Sequence, residues 1–219
     1  MVMDPDPEWD EYYYALGEFI QNFGLTEREL TQTLSDFIII YCLELPTSMH
    51  EIPHALLGSR RMAQICETIN KIAKMSYVSE PYLSDVKRCT DHLGSIRFLR
   101  DTIAHNGVLP DLVKRGWYST DNTHNSGDFD KQKFVSFKIE HLKKATDDLF
   151  WCQYRISIAF TPKEYREKRA EQSAKGHRGK VRNWLLNPLE RPWSYKPQEL
   201  VVECLSWPRQ SNPDRVQKF

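Results

Sequence analysis

Apolar residues recur at helical spacing along most of this chain, and only nine of its 219 residues are glycine. A period near 3.6 marks amphipathic helices, whereas strands would alternate with period two. The pattern predicts an all-α fold. The first stripe, over about Trp9–Phe23, places Trp9, Tyr13, Leu16, Ile20 and Phe23 on one face. Gly24 is expected to interrupt it. Thr26-Glu27-Arg28-Glu29 then reads as a capping box, in which Thr26 satisfies a free amide and Glu29 reaches back. A second helix should carry Leu30, Leu34, Phe37, Ile38 and Tyr41 inward to about Leu45, where Pro46 stops it.

A third helix is expected from Ser59 to about Met75, burying Met62, Ile65, Cys66, Ile69, Ile72 and Ala73. A fourth runs from about Pro81 to Ala104, with Leu83, Val86, Leu93, Ile96, Leu99 and Ile103 inward. Asn106-Gly107 is its natural stop, because both residues tolerate left-handed backbone. Between Val108 and Lys133 the pattern dissolves. Residues 116–120 and 133–137 have strand composition around the turn-rich DNTHNSGDFD, so a small hairpin or an irregular loop is expected. A long final helix spans about Lys138–Phe160, and Pro162 breaks it before a charged extension to about Ala174. The domain reading is an acidic arm (1–8), a helical domain (9–174, with 108–137 as an insertion) and a basic, then Pro/Trp-rich tail (175–219). Trp184, Trp193 and Trp207 make that tail too aromatic for simple disorder, so it should dock on the domain or on a partner.

The formal net charge is zero, but the charges are segregated. Residues 1–60 hold 11 acids and two bases, and residues 161–219 hold 13 bases and seven acids. Such asymmetry suits a polyanion at the basic end or neutralisation of one end by the other. The longest apolar run, Phe37–Leu43, is far short of the ~20 residues a membrane-spanning helix needs. The acidic, Pro-broken beginning resembles neither a signal peptide nor a transit peptide. Five scattered cysteines without a CxxC motif fit reduced thiols, so a cytoplasmic protein is expected.

His50-Glu51-Ile52-Pro53-His54 fits the pattern of helical zinc hydrolases, which needs both imidazoles one helical turn apart. Pro53 argues against that helix, since an internal proline costs about 3 kcal/mol. Two histidines in a connecting loop is the better reading, and neither a metal nor a cofactor is expected.

Arg100-Asp101-Thr102-Ile103-Ala104-His105 closes the fourth helix. Asp101 and His105 are spaced i,i+4 and share a face, so the carboxylate can orient the imidazole. The helix C-terminus favours cations there. Arg100 and His105, five apart, are about 140° apart on the helix wheel. They converge only if the last turn unwinds or if a second subunit supplies the partner group. An arginine and a titratable imidazole suit phosphate chemistry, the first stabilising charge and the second moving a proton. The same residues would also satisfy an ordinary helix end, with Asp101 paired to Arg97.

Arg-polar-x-x-Ala-His-Asn-Gly at the end of a helix resembles the signature of the HEPN superfamily. The surroundings are similar as well: FGLTERELTQTLSDFIII resembles its opening helix and SFKIEHLKKATDDLFW its closing helix, over about residues 15–160. The resemblance implies a helical bundle that dimerises through the motif helix. It also implies a metal-independent endoribonuclease, often of toxin–antitoxin or anti-phage systems, with RNA as substrate and an antitoxin or other protein as a further partner. In that reading Arg100 binds the scissile phosphate, His105 is the general acid/base and Asp101 orients the site. Asn106 and Arg97 flank it as nucleic-acid contacts. Lys175, Arg178, Lys180 and Arg182 add a basic segment attractive to phosphate. The tyrosine that one branch carries two positions after the histidine is Gly107 here. A non-catalytic HEPN-like module that binds nucleic acid or protein is the alternative.

Overall fold

The computed structural model describes residues 7–39, 61–75, 78–111, 114–120, 133–174 and 192–204. Among them are five α-helices: α1 (Pro7–Ile38), α2 (Met62–Met75), α3 (Tyr82–Asn106), α4 (Ile139–Phe160) and α5 (Lys163–Ala174). The strands β1 (Val108–Pro110), β2 (Tyr118–Thr120), β3 (Lys133–Phe137) and β4 (Val201–Cys204) form one antiparallel sheet in the order β1-β2-β3-β4. The protein is therefore mostly helical with a small sheet. The chain divides into two units. The first comprises the residues up to Arg100 with Ile139–Pro197, and the second Asp101–Lys138 with the residues from Gln198 on.

In the first unit the expected break in α1 is absent. Gly24 lies inside one continuous helix, and the Thr26 hydroxyl donates to the Asn22 carbonyl at 2.8 Å instead of capping a new helix. A glycine inside a helix costs about 1 kcal/mol relative to alanine. Burial of Phe19, Phe23, Leu30 and Leu34 outweighs it, at about 1.5–3 kcal/mol each. The buried stripe is also displaced by one residue from the expected one. Tyr12, Ala15, Phe19, Phe23, Thr26, Leu30, Leu34 and Phe37 face inward, while Tyr13 and Ile20 are exposed. Two adjacent apolar stripes compete here, and Trp9 and Tyr13 stack on each other at 5.5 Å on the outer one. Glu27, read as part of a capping box, caps a different helix: its Oε1 accepts the Met62 amide at 2.7 Å, at the start of α2.

The most extensive helix packing joins α1 to α4. Lys143 Nζ donates to Glu11 Oε1 at 2.8 Å near the beginnings of both helices, and Phe37 meets Phe160 edge-on at 5.0 Å near their ends. The two helices therefore run in the same direction. Parallel neighbours need a long connection, and α2, α3 and the first three strands lie between them in sequence. The core is completed by Ile65 and Ile69 of α2, by Val86, Leu93, Ile96 and Leu99 of α3, and by Leu142, Leu149 and Ile156 of α4. Of the residues expected inward, Trp9, Leu16, Ile38, Cys66, Ile72 and Leu83 are only half-buried, and Tyr41 lies outside the described residues. The break at Pro162 is as expected, with the Pro162 carbonyl accepting the Arg166 amide at 3.0 Å in the first turn of α5.

In the second unit the two expected strand segments pair, with Tyr118 opposite Phe137 and Ser119 opposite Ser136. Two further strands join them that the sequence pattern does not announce. β1 follows α3 directly after Gly107, and β4 comes from the tail, pairing Val201 with Ser136 and Cys204 with Lys133. Tyr118, Thr120, Val135 and Phe137 are buried. The Val135 amide, near where β2 ends, donates to the Thr120 hydroxyl at 3.2 Å.

Candidate functional site

α3 carries the expected motif to its last residue. The helix stays regular through Asn106, and Gly107 then takes a left-handed φ of 64°. The stop is the expected one, but the unwinding that would bring Arg100 and His105 together does not occur. Their side chains leave α3 about 140° apart, so one copy of the helix does not aim both at a single point. Asp101 lies between them in direction and keeps its i,i+4 relation to His105. His105 is exposed, whereas Arg97, Arg100, Asp101 and Asn106 are half-buried. The Arg100 guanidinium sits over the Phe23 ring of α1, 5.5 Å from its centroid. Cation–π contacts of this kind contribute about 0.5–2 kcal/mol and fix the side chain's direction.

The expected basic segment is only partly in view. Lys175, Arg178, Lys180 and Arg182 lie outside the described residues, as do His50, His54, Trp184 and Trp207. In α5, Arg166 stacks on Tyr82 at 3.9 Å, so this base serves packing. Lys163 pairs with Glu167 at 3.8 Å on the solvent side. Among the described residues, no three His, Cys, Asp or Glu side chains gather as a metal site.

A second polar cluster lies beyond what the motif suggests. On α3, Asp85, Cys89 and His92 follow one another at helical spacing on the buried face. His92 Nε2 lies 2.9 Å from Asp148 Oδ2 of α4, and that oxygen also accepts the Tyr195 amide of the tail at 2.8 Å. Trp193 stacks on the His92 ring at 4.3 Å with an interplanar angle of 6°, and the Arg155 guanidinium lies over the same indole at 5.1 Å. Arg155 grips Asp85 with two nitrogens, Nε donating to Oδ2 at 2.9 Å and Nη2 to Oδ1. Arg88 adds a bond to Asp85 at 2.9 Å.

Burial raises the proton affinity of neighbouring thiols and phenols. Cys152 is pushed well above the ordinary thiol range by burial, reinforced by its hydrogen bond with the Cys89 thiol. Burial also raises Tyr195, and it raises Tyr82 against the opposing pull of Arg166. The hydrogen bond to Asp85 strengthens Arg155's hold on its proton against the opposing effect of burial. This cluster binds the tail rather than presenting reactive groups to solvent. A sequence clue existed, since Asp85, Cys89 and His92 share a face with Val86, Leu93 and Ile96. Their partners on α4 and in the tail were not readable.

Compared with known protein families, curated proteins and solved structures, the chain matches none.

Proposed function

We propose that the chain is a metal-independent endoribonuclease of the HEPN type, centred on Arg100 and His105. The observation that carries this reading is the placement of the motif. An exposed imidazole, a carboxylate one turn before it and a guanidinium all lie on the last two turns of a helix that stops at Asn106. His105 would take the proton of an RNA 2′-hydroxyl as that oxygen attacks the adjacent phosphorus. The bond to the 5′-oxygen breaks, and a protonated imidazole returns a proton to the leaving group. The products are a cyclic phosphate and a 5′-hydroxyl end. Arg100 would neutralise charge on the phosphoryl oxygens, and Asp101 would hold the imidazole in orientation. Because the two side chains diverge by about 140°, the productive site combines Arg100 of one protomer with His105 of another in a symmetric dimer built on α3. A defence or toxin–antitoxin setting, with an antitoxin or other protein as regulator, is part of this proposal through the resemblance alone.

The test is cleavage of RNA by purified protein in excess chelator, with Arg100→Ala and His105→Ala as comparisons. Cleavage that persists in chelator, leaves cyclic-phosphate ends and falls about 10²–10⁴-fold in the His105 variant would support the reading. Full activity in both variants, or activity abolished by chelator, would overturn it. A second reading has its own observation. Arg100 is half-buried against Phe23, as expected if the motif is structural in a non-catalytic module that binds nucleic acid or protein. In that case the protein dimerises and binds without turnover.

A further inference from the structure

The outward side of α1 carries a seam that the motif does not use. Tyr13, Gly17, Ile20 and Gly24 succeed one another at intervals of four, three and four residues. That spacing keeps side chains on one line along a helix that faces another helix. All four residues are exposed, Tyr13 at 60% and Ile20 at 38%. A Cβ added at either glycine would meet nothing within 4 Å. Large and small residues therefore alternate along the line as knobs and holes. Trp9 stacks on Tyr13 at 5.5 Å and fixes the direction of that knob. Asp10 and Arg28, both exposed, stand at the two ends of the same side. Arg28 is 74% exposed, and its 3.2 Å pair with Glu29 is a surface contact of little strength. Glu11 and Glu18 turn away from the seam by about 130–150°, and Glu11 is held by Lys143 of α4.

The seam is complementary to itself. Laid antiparallel against a second α1, with a two-fold axis passing between Glu18 and Phe19, Tyr13 of each copy faces Gly24 of the other. The same operation sets each Ile20 against the other copy's Gly17. Every knob then meets a hole, as an isologous interface requires. Asp10 and Arg28 are about five helical turns apart and share one direction on the helix wheel. The axis therefore brings each Asp10 beside the Arg28 of the other copy, on one flank of the seam. A parallel pair would set Tyr13 against Tyr13, Gly17 against Gly17 and Asp10 against Asp10. That arrangement stacks knob on knob, leaves gaps at the glycines and places like charges together. Glycine is the least favourable helix residue after proline, and the described structure packs nothing against either one.

From this self-complementarity we infer that the outward side of α1 is an interface with a second copy of the chain. Its core is the antiparallel seam of Tyr13, Gly17, Ile20 and Gly24, closed at both ends by Asp10–Arg28 ion pairs between copies. The interface is separate from the α3 contact proposed above and does not depend on it. With both in place, copies assemble in fours. Three turns of helix bury less than the about 800 Å² per partner of a standard interface. The association is accordingly a weak one, with Kd on the order of tens of micromolar.

Sedimentation of the full-length protein across micromolar concentrations tests the interface. Gly17→Gln with Gly24→Gln fills the holes, and both changes favour the isolated helix, so the fold is kept. The double variant should self-associate roughly 10- to 100-fold more weakly than wild type through overpacking, and its limiting mass should be half. Arg28→Glu should also weaken association, and Arg28→Glu with Asp10→Arg should recover it. Register is read by oxidative cross-linking on a denaturing gel, with the parent chain as control for its own cysteines. Tyr13→Cys with Gly24→Cys should give a linked dimer, since the two positions are about 16 Å apart within one helix and meet only between copies. Tyr13→Cys alone should not. Unchanged association of the glycine double variant, or a wild-type protein that stays monomeric at concentrations well above the expected Kd, would overturn the interface. Equal cross-linking by Tyr13→Cys alone would overturn the antiparallel seam. A glycine double variant that still forms dimers while wild type forms tetramers would support the seam and leave the α3 contact intact.

Discussion

His92 and Asp148, 56 residues apart in sequence, are joined by a buried 2.9 Å contact between Nε2 and Oδ2. The same oxygen receives the Tyr195 amide, so one carboxylate ties α3 and α4 to the tail. Asp148→Ala should therefore destabilise the protein by about 2–6 kcal/mol, since two buried donors lose their acceptor at about 1–3 kcal/mol each. Asp148→Asn, which keeps an acceptor oxygen, should lose less. Urea denaturation gives the difference directly. Limited proteolysis should show earlier cutting within residues 192–204 in the alanine variant. A loss below about 1 kcal/mol would mean that this carboxylate does not hold the tail.

Asp85 poses the complementary case. Its partner Arg155 has a side chain only 10% exposed, so Asp85→Ala leaves a guanidinium buried without its counter-charge. Removing one member of a buried pair costs about 3–5 kcal/mol, whereas replacing both by apolar residues is often neutral. Asp85→Leu combined with Arg155→Met should accordingly recover most of the stability lost by Asp85→Ala. A double variant as unstable as the single one would place the cost in lost packing on Trp193.

The divergence of Arg100 and His105 makes a prediction about subunits. Arg100→Ala and His105→Ala proteins should each be inactive on RNA. Mixed after partial denaturation and refolding, they should regain activity, because a mixed dimer with composite sites pairs one intact arginine with one intact histidine. About a quarter of wild-type activity is expected, since half of randomly assorted dimers are mixed and each carries one of two sites. An inactive mixture that has demonstrably exchanged subunits would place both residues in sites within one protomer.

Alkaline pH should weaken the fold. Burial pushes the Cys66 thiol up to about 12 and raises Cys152, Tyr82 and Tyr195 as well. The folded state keeps these protons at a pH where the unfolded chain releases them, from about 8.5 for cysteine and about 10 for tyrosine. The unfolded state then binds fewer protons, so the stability these groups contribute is complete below about pH 8.5 and declines above it. Urea midpoints at about pH 7.5, 9 and 10.5 should fall in that order, and Cys66→Ala should make the decline shallower. Constant midpoints across this range would refute the assignment.

Much of the helical layout was legible because it rests on local rules. The end of α2, the bounds of α3 and α4, the stop at Asn106-Gly107 and the break at Pro162 follow from periodicity, left-handed tolerance and the missing proline amide, whereas α2 begins at Met62 rather than at Ser59. The beginning of α1 was misread for an equally physical reason. Tyr12, Ala15, Phe19 and Phe23 and the adjacent Trp9, Tyr13 and Ile20 make two stripes of similar quality, and only the surface of α4 selects between them. Gly24 and Thr26 look like a helix boundary locally, yet core burial carries the helix through.

The sequence by itself determined the helical periodicity, the place where α3 stops and the presence of Arg100, Asp101 and His105 on its last turns, because these depend on neighbours within a few residues. Tertiary structure decided that Glu27 caps a helix 35 residues away and that the tail adds β4 to the sheet and closes over His92 and Asp148. Each of these joins groups distant along the chain. Such pairings are fixed by which buried donors and acceptors find partners once the core has formed, and local pattern carries no record of that choice.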